Sequence, residues 1–315
     1  MKYINLKTDL GKKETLDKWK GKFPDDTSYE QVIRVTEDTA IMKPTISLDG
    51  SDVPLAYIMT NVYPDDEVRN CLATIEDTST MRANCSGPID HEEMKKKGLI
   101  EGEHYKLRTP NSYHVKTKSG GWGMIAYANE IHSVMIGYKR GRFTGAIDSS
   151  GWTKDNAEKF DTLKDISKYN ERAFAKANND IYTKQRVFAE SFVKPEHRMG
   201  IFSTYSANRY HAGQSSKMSF HVDSGDTEMG LTSMCVFRQG DYDGAFLTFP
   251  RYNIAIDAPD NLEVHGVTEI TGNGERFSCV AYMDNRLATI GSAGKSEKLI
   301  GKYAAKTSGN LEEFI

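Results

Sequence analysis

Three residues of this sequence have the types and order that hold a transition metal. His221 and Asp223 lie two apart in Phe220-His221-Val222-Asp223, a run that reads as a β-strand, and His265 follows in a later run of the same kind. Residues i and i+2 of a strand point to one face. One imidazole and one carboxylate therefore converge, and a second imidazole from a distant strand completes two histidines and a carboxylate on one side of an ion. Such a set leaves about half of the coordination sphere open, the ligand pattern of non-haem Fe(II) oxygen chemistry.

That chemistry calls for a co-substrate beside the metal. 2-Oxoglutarate chelates iron through its C1 carboxylate and C2 keto oxygen, and its remote carboxylate needs a fixed cation. Arg276 offers a guanidinium that can grip a carboxylate through two parallel hydrogen bonds, and Ser278, two residues on, adds a hydroxyl on the same strand face. Each piece also has a plainer reading. An H-x-D pair can be structural, a lone histidine a hydrogen-bonded core residue, and a lone arginine a surface cation. Order and context favour the site: His221 and Asp223 open a β-rich segment, His265 lies near its end, and Arg276 follows the turn Gly272-Asn273-Gly274. Strands joined by that turn would place His265 and Arg276 on neighbouring strands of one sheet.

The elements that must position these residues are legible in outline. From Met199 to Met283 the chain consists of short β-branched and aromatic runs broken by Gly, Asp and Asn, with strands expected at 200–206, 217–222, 231–237, 244–249, 252–256, 262–268 and 276–283. Closely spaced short strands argue for a sandwich or barrel. Upstream, Val53 to Ile58 reads as a strand, and Tyr63-Pro64-Asp65-Asp66 starts a helix that runs to about Ile75. Ile166, Tyr169, Phe174, Ala177, Ile181 and Phe188 recur at helical spacing and predict one long helix from Lys164 to Ser191. The expected class is α+β, a double-stranded β-helix (jelly-roll, cupin-like) core with helices packed on its outside. Residues 1–52 read as a polar arm, 53–284 as the domain that carries the site, with its β core at about 199–284, and 285–315 as a tail. Ser119-Gly120-Gly121-Trp122-Gly123 is a loop that either closes over a site or merely turns the chain.

Composition bounds the function classes. The chain has 315 residues, 38% of them apolar, which is enough for a sizeable core, and a net charge of −3, which argues against a coat for nucleic acid. Cys71, Cys85, Cys235 and Cys279 show no C-x-x-C spacing and read as a reduced set. The first twenty residues are charged throughout, without the apolar stretch of a secretory signal, and no run has the ~18 apolar residues of a membrane span. The expectation is an intracellular protein, of a nucleus or of the cytoplasm of a bacterial or phage-infected cell. No membrane contact and no obligate protein partner are called for, and a monomer is expected.

These motifs resemble the 2-oxoglutarate/Fe(II) dioxygenases, and more narrowly the TET/JBP group, which oxidises the methyl of 5-methylcytosine or thymine in DNA. His221-Val-Asp223-Ser-Gly is followed by Gly240-Asp-Tyr-Asp-Gly244-Ala-Phe-Leu-Thr-Phe-Pro250, which matches the group's "G-x-Y/F-x-G-G-x-L" strand pair except that Ala245 replaces the second glycine. His265-Gly-Val and Gly274-Glu-Arg276-Phe-Ser278 match its distal histidine and "G-x-R-x-S" end. Asn208-Arg-Tyr210-His-Ala-Gly213 resembles the "N-x-Y-x-x-G" strand of AlkB-type demethylases, where the Asn and Tyr help hold the co-substrate. Before the distal histidine the chain reads Ala258-Pro259-Asp260-Asn261 in place of the family's Pro-Gly-Asp turn. The resemblance implies Fe(II) on His221, Asp223 and His265, and 2-oxoglutarate on Arg276, Ser278, Asn208 and Tyr210. It implies a DNA substrate oxidised from 5-methylcytosine to 5-hydroxymethylcytosine and further, or a thymine hydroxylase of the JBP type. A hydroxylase of a protein side chain, free nucleotide or small metabolite is the alternative, and a non-catalytic fold that only binds DNA is a third.

Duplex DNA would demand extrusion of the base into the pocket. Lys164, Lys168, Arg172 and Lys176 form an i, i+4 stripe that can track phosphates or simply be a solvated helix face. Tyr138-Lys139-Arg140-Gly141-Arg142-Phe143 combines cations with aromatics, so Arg140 and Arg142 are candidate backbone contacts unless the run is only a hairpin turn. Tyr205, Arg209, His211 and Phe220 are the candidates to stack on or read the base.

Overall fold

The computed structural model describes residues 1–46, 52–76, 105–109, 112–116, 122–125, 132–141, 145–212, 218–222, 227, 230–257 and 265–291. In chain order come β1 (Lys2–Asn5), α1 (Lys12–Trp19), β2 (Gln31–Arg34), β3 (Thr39–Ile46), β4 (Asp52–Ile58) and α2 (Asp65–Glu76). Then follow β5 (Tyr105–Thr109), β6 (Ser112–Lys116), β7 (Trp122–Ile125), β8 (His132–Arg140), β9 (Ile147–Ser149), α3 (Gly151–Asp155), α4 (Ala157–Ala177) and α5 (Asn179–Phe192). The β-rich segment holds β10 (Thr204–His211), β11 (Met218–His221), β12 (Ser233–Gln239), β13 (Tyr242–Gly244), β14 (Leu247–Phe249), β15 (Ile254–Asp257), β16 (His265–Val267), β17 (Ile270–Gly272) and β18 (Glu275–Tyr282), before α6 (Asn285–Gly291). Among the described residues no helix is long and apolar enough to cross a membrane.

Two five-stranded sheets carry the site. One has the order β12-β18-β10-β8-β9 and the other β11-β16-β14-β15-β2. Three smaller sheets, β1-β3-β4, β5-β6-β7 and β13-β17, complete a mixed architecture of helices and several open sheets. Alternation along the strands sorts side chains to two cores. Tyr205, Ala207, Cys235, Phe237, Phe277 and Cys279 turn to one side of the first sheet and pack with Phe160, Leu163 and Phe174 of α4 and Ala189 of α5. Tyr210 turns to the other side and shares a second core with Leu247, Ile254, Ile256 and Val267 of the second sheet, against which Met218 and Met234 pack. The two sheets thus meet face to face, with helices outside the first, as the apolar patterning predicts.

Three expectations change. The turn before Arg276 does not keep His265 and Arg276 in one sheet: β16 pairs with β11 and β14, whereas β18 pairs with β10 and β12. The chain leaves the second sheet after Val267 and passes through β17, which pairs with β13. It then turns at Gly272, whose φ of +106 and close approach to the Asp241 carbonyl favour glycine. The residues read as a polar arm are built in: β2 pairs in parallel with β15, β1 with β3, and Trp19 packs edge-on against Phe220 at 5.5 Å. The single long helix is two, divided at Asn178, whose backbone is extended at φ −155. Its N–H donates to the Phe174 carbonyl, closing α4, and its Oδ1 accepts from the Ile181 N–H at 3.0 Å, opening α5. The apolar spacing runs through the break because both helices cover the same sheet. Asn178-Asn179-Asp180 was the readable cap signal.

Asn178 Nδ2 also donates to the Tyr57 hydroxyl at 3.0 Å, tying the helix junction to β4. Asn178→Ala should lower the unfolding free energy by about 1–2 kcal/mol, the usual worth of an Asn cap, with an unchanged urea m-value. A loss indistinguishable from zero in chemical denaturation would remove the cap from the account.

Candidate active site

A polar quartet lies on the inner face of the first sheet. Across the β10–β18 ladder Asn208 stands opposite Ser278, and Tyr210 opposite Arg276. Directly opposed positions share a face, and the i, i+2 spacing on each strand puts all four on the side that meets the second sheet. All are buried, Arg276 to 3% and Asn208 to 5% exposure. The Arg276 guanidinium is centred 5.3 Å from the Tyr210 ring, a cation–π contact. Its Nη1 and the Asn208 Oδ1 are buried without a hydrogen-bond partner. Orphaned buried polar atoms are rare and costly, of order 1–3 kcal/mol each. A carboxylate would satisfy the guanidinium, and the amide can turn its own N–H groups to the same ligand by rotation about χ2.

The histidines belong to the facing sheet. In the β11–β16 ladder Met218 opposes Val267 and His221 opposes His265, so four residues of β11 match three of β16. That is a β-bulge, and its effect is to re-aim a side chain. Met218 packs into the core between the sheets. Regular alternation would turn residue 221 the other way, and the extra residue turns it back, onto the face that position 265 shares with the core residue Val267. Phe220 correspondingly faces out onto Trp19. His221 Nδ1 lies 2.8 Å from the Ser219 carbonyl. Donation from Nδ1–H fixes the ring and leaves the lone pair on Nε2. Strand β11 ends at His221, and Asp223 lies outside the described residues together with the His265 side chain. Among the described residues no three His, Cys, Asp or Glu side chains form a metal cluster. The donor types of the expected set nonetheless suit ferrous iron, and the unpartnered guanidinium suits an acidic co-substrate.

A cleft of about 520 Å³ opens beside β12, and Arg276, Arg238, Tyr242, Asp257, Tyr63 and Phe174 are among the residues that line it. Arg238 stands across the ladder from Arg276, donates to Asp257 at 2.9 Å, and lies 4.3 Å from the Tyr242 ring. Burial pushes the Tyr242 phenol up, against the pull of both guanidiniums. Sequence reasoning missed Arg238 and Tyr242, because only the strand register reveals what Arg238 opposes.

The candidate substrate residues go elsewhere. The alternation that turns Asn208 and Tyr210 inward turns Tyr205, Arg209 and His211 to the opposite face. Tyr205 is buried in the helix-side core, within 3.5 Å of Asn170 Nδ2, and burial holds its phenol well above the usual range. Arg209 grips Glu275 through Nε and Nη2 at 2.6–2.9 Å, and His211 Nδ1 lies 2.7 Å from the same carboxylate. Phe220 is buried against Trp19. Arg140 is exposed at the end of β8 in a hairpin closed by Gly141 N–H to the Ala146 carbonyl, and Arg142 lies outside the described residues. Of the basic stripe, Lys168, Arg172 and Lys176 are exposed, whereas the cleft is lined by Asn170, Ala173, Phe174 and Ala177 on the other side of α4. Lys176 bonds Asp38 at 2.8 Å and holds that carboxyl below its usual range. The loop at 119–123 lies largely outside the described residues.

In the strand pair that resembles the TET/JBP group, Gly244 has φ +87 and lies against the Glu269 carbonyl, and Ala245 has φ +52. The position where the group has its second glycine is thus a left-handed one, occupied here by alanine. No protein-family model matches the chain, and no curated protein does. Among solved structures it is similar to NgTET1 in complex with 5mC DNA, at 12% identity and a TM-score of 0.48 over 89% of this chain and 93% of that one. It is also similar to an oxidoreductase of the 2OG-Fe(II) oxygenase family from Burkholderia pseudomallei, at 12% identity and a TM-score of 0.26 over 69% of this chain and 89% of that one.

An unmet donor on a buried guanidinium costs stability rather than adding to it. Arg276→Met, which keeps the volume and removes the charge, should melt at or above the wild-type temperature in ligand-free buffer. Added 2-oxoglutarate should raise the melting temperature of the wild type and not of the variant. A variant that melts several degrees lower would make Arg276 a structural residue.

Proposed function

We propose that this chain is a 2-oxoglutarate- and Fe(II)-dependent dioxygenase with a double-stranded β-helix core. His221, Asp223 and His265 hold the iron, and Arg276 with Ser278, Asn208 and Tyr210 holds the keto acid. The observation that carries this reading is the unmet guanidinium of Arg276, buried on the face that looks toward the ladder in which positions 221 and 265 are directly opposed. When bound, iron and keto acid supply the oxidising chemistry, in which O₂ and 2-oxoglutarate give succinate, CO₂ and a hydroxylated C–H bond.

The chain's own residues bind, orient and exclude water. Arg276 fixes the remote carboxylate by charge-assisted hydrogen bonds, and the Tyr210 ring under the guanidinium keeps its plane in place. Ser278 contributes a hydroxyl beside it, on the same face. Asn208, across the ladder from Ser278, offers an amide that neither strand consumes. The Ser219 carbonyl holds the His221 ring in the tautomer that a ligand needs. Apolar packing between the sheets keeps bulk water from this site, which strengthens each of these contacts.

For the substrate we propose the methyl group of a methylated pyrimidine in DNA, 5-methylcytosine first and thymine second, on the motifs shared with the TET/JBP group. The basic stripe of α4 looks away from the cleft, so phosphate contacts would come from other surfaces, and a protein side chain or small metabolite is the competing substrate class.

His221→Ala and Asp223→Ala should each abolish succinate formation. Arg276→Ala should mainly raise the apparent KM for 2-oxoglutarate, since it removes a binding contact rather than the oxidant. The assay is succinate release with Fe(II), ascorbate and 2-oxoglutarate on 5-methylcytosine DNA and, in parallel, thymine-only DNA, with nucleosides read by mass spectrometry. Co-substrate dependence unchanged by loss of Arg276 would overturn its assignment. Succinate without any oxidised base would move the substrate outside DNA.

A further inference from the structure

We propose that Arg238 is a second anion anchor of the co-substrate site, sharing the remote carboxylate of the keto acid with Arg276, and that Asp257 holds Arg238 in place until that carboxylate arrives. This rests on the reading of the site as one for 2-oxoglutarate. The starting observation is a conflict of charge: Arg238 and Arg276 are directly opposed on neighbouring strands. Like charges in that arrangement repel and destabilise the ladder unless an anion stands between or beside them. Asp257 serves Arg238, at 2.9 Å from Nη1. Nη1 of Arg276 remains buried without a partner. An incoming carboxylate therefore meets an unmet donor and relieves a repulsion at the same time.

The rest of the local structure aims Arg238 at the same place. Its Nη2 donates to the Tyr242 carbonyl at 3.3 Å and its guanidinium covers the Tyr242 ring at 4.3 Å, so β13 fixes its direction. The Tyr242 phenol feels the charges of both Arg276 and Arg238, which places it near each. All four residues, Arg238, Arg276, Tyr242 and Asp257, line the one cleft. Their exposure is graded: the Arg238 side chain is 48% exposed and Arg276 only 3%. A dianion approaching from solvent encounters Arg238 first and reaches Arg276 at depth, a two-step capture along a field of one sign. Asp257, 24% exposed, stays within reach of Arg238 as the internal carboxylate that the ligand displaces.

The test is calorimetric titration of 2-oxoglutarate into anaerobic Fe(II)-loaded protein, for wild type, Arg238→Gln, Arg238→Lys and Asp257→Asn, with circular dichroism as the check of folding. Arg238→Gln should weaken binding about five- to tenfold, the size of one partly exposed charge-assisted contact, and Arg238→Lys should recover most of it. Asp257→Asn removes the internal competitor and should tighten binding about two- to threefold. Pyruvate, a keto acid with no remote carboxylate, should bind wild type and Arg238→Gln alike. If Arg238→Gln and Asp257→Asn both bind 2-oxoglutarate as the wild type does, Arg238 is a surface ion pair and the proposal fails while the co-substrate reading stands. If the wild type itself takes up no 2-oxoglutarate, the co-substrate reading fails and this proposal with it. Asp257→Asn carries the test should Arg238→Gln not fold.

Discussion

The structure turns on the register of one antiparallel ladder. Pairing of β10 with β18 sets Tyr210 against Arg276 and Asn208 against Ser278, and a slip of β10 by one residue would send Asn208 and Tyr210 to the helix side, away from Ser278 and Arg276. What holds the register is the opposite face of the same strands. Ala207 and Cys279 are opposed there, Tyr205 faces Ala281, and Arg209 faces Phe277, over whose ring its guanidinium lies at 5.0 Å. Apolar burial on the helix side thus fixes the polar arrangement on the inner side. Burial of Phe277, Ala281 and Ala207 contributes roughly 25 cal/mol per Å² of apolar surface, which is the reservoir that sustains an unpaired guanidinium on the other face.

The same division of labour explains the cysteines. Cys235 and Cys279 are cross-strand partners on the helix side, and with Cys71 of α2 they are buried. Cys235 Sγ lies 2.9 Å from the Tyr63 hydroxyl and 3.0 Å from Asn170 Oδ1, and Tyr63 also bonds Asn170. Burial pushes the Cys71 and Cys279 thiols well up, so they stay protonated and unreactive at neutral pH. The three described cysteines are core residues on the helix side of the first sheet.

Most strands between 218 and 282 were legible because β-branched and aromatic runs alternate with Gly, Asp and Asn at short intervals, but the strand expected at 200–206 lies at Thr204–His211 and β17 was not expected. What the sequence could not convey is pairing. Gly272-Asn273-Gly274 looks like a hairpin between neighbours, yet it connects strands of different sheets, since nothing local records that β17 pairs with β13. The inward set could be read from alternation alone: Asn208 and Tyr210 at even positions, Tyr205, Arg209 and His211 at odd ones. Treating all five as site residues ignored that parity. The bulge at β11 shows the reverse problem. Strict alternation would have misplaced His221, and a bulge of one ordinary residue leaves no glycine to announce it.

The two faces of the first sheet differ most in how their polar groups are met. On the helix side, Asn170 bonds Tyr63 and Glu275 is gripped by Arg209. Gln185, fully buried, donates to the Ile201 carbonyl and accepts from the Leu231 N–H. On the inner side, a guanidinium nitrogen and an amide oxygen of the opposed pairs have no such partner. One strand pair supplies both faces, so a general failure of packing would leave orphans on each. Within β10 and β18 the orphaned atoms are both on the inner face, beside the bulge that turns His221 toward them. Elsewhere in the same strands the fold satisfies its buried groups, which makes this inner pair the exception along both strands.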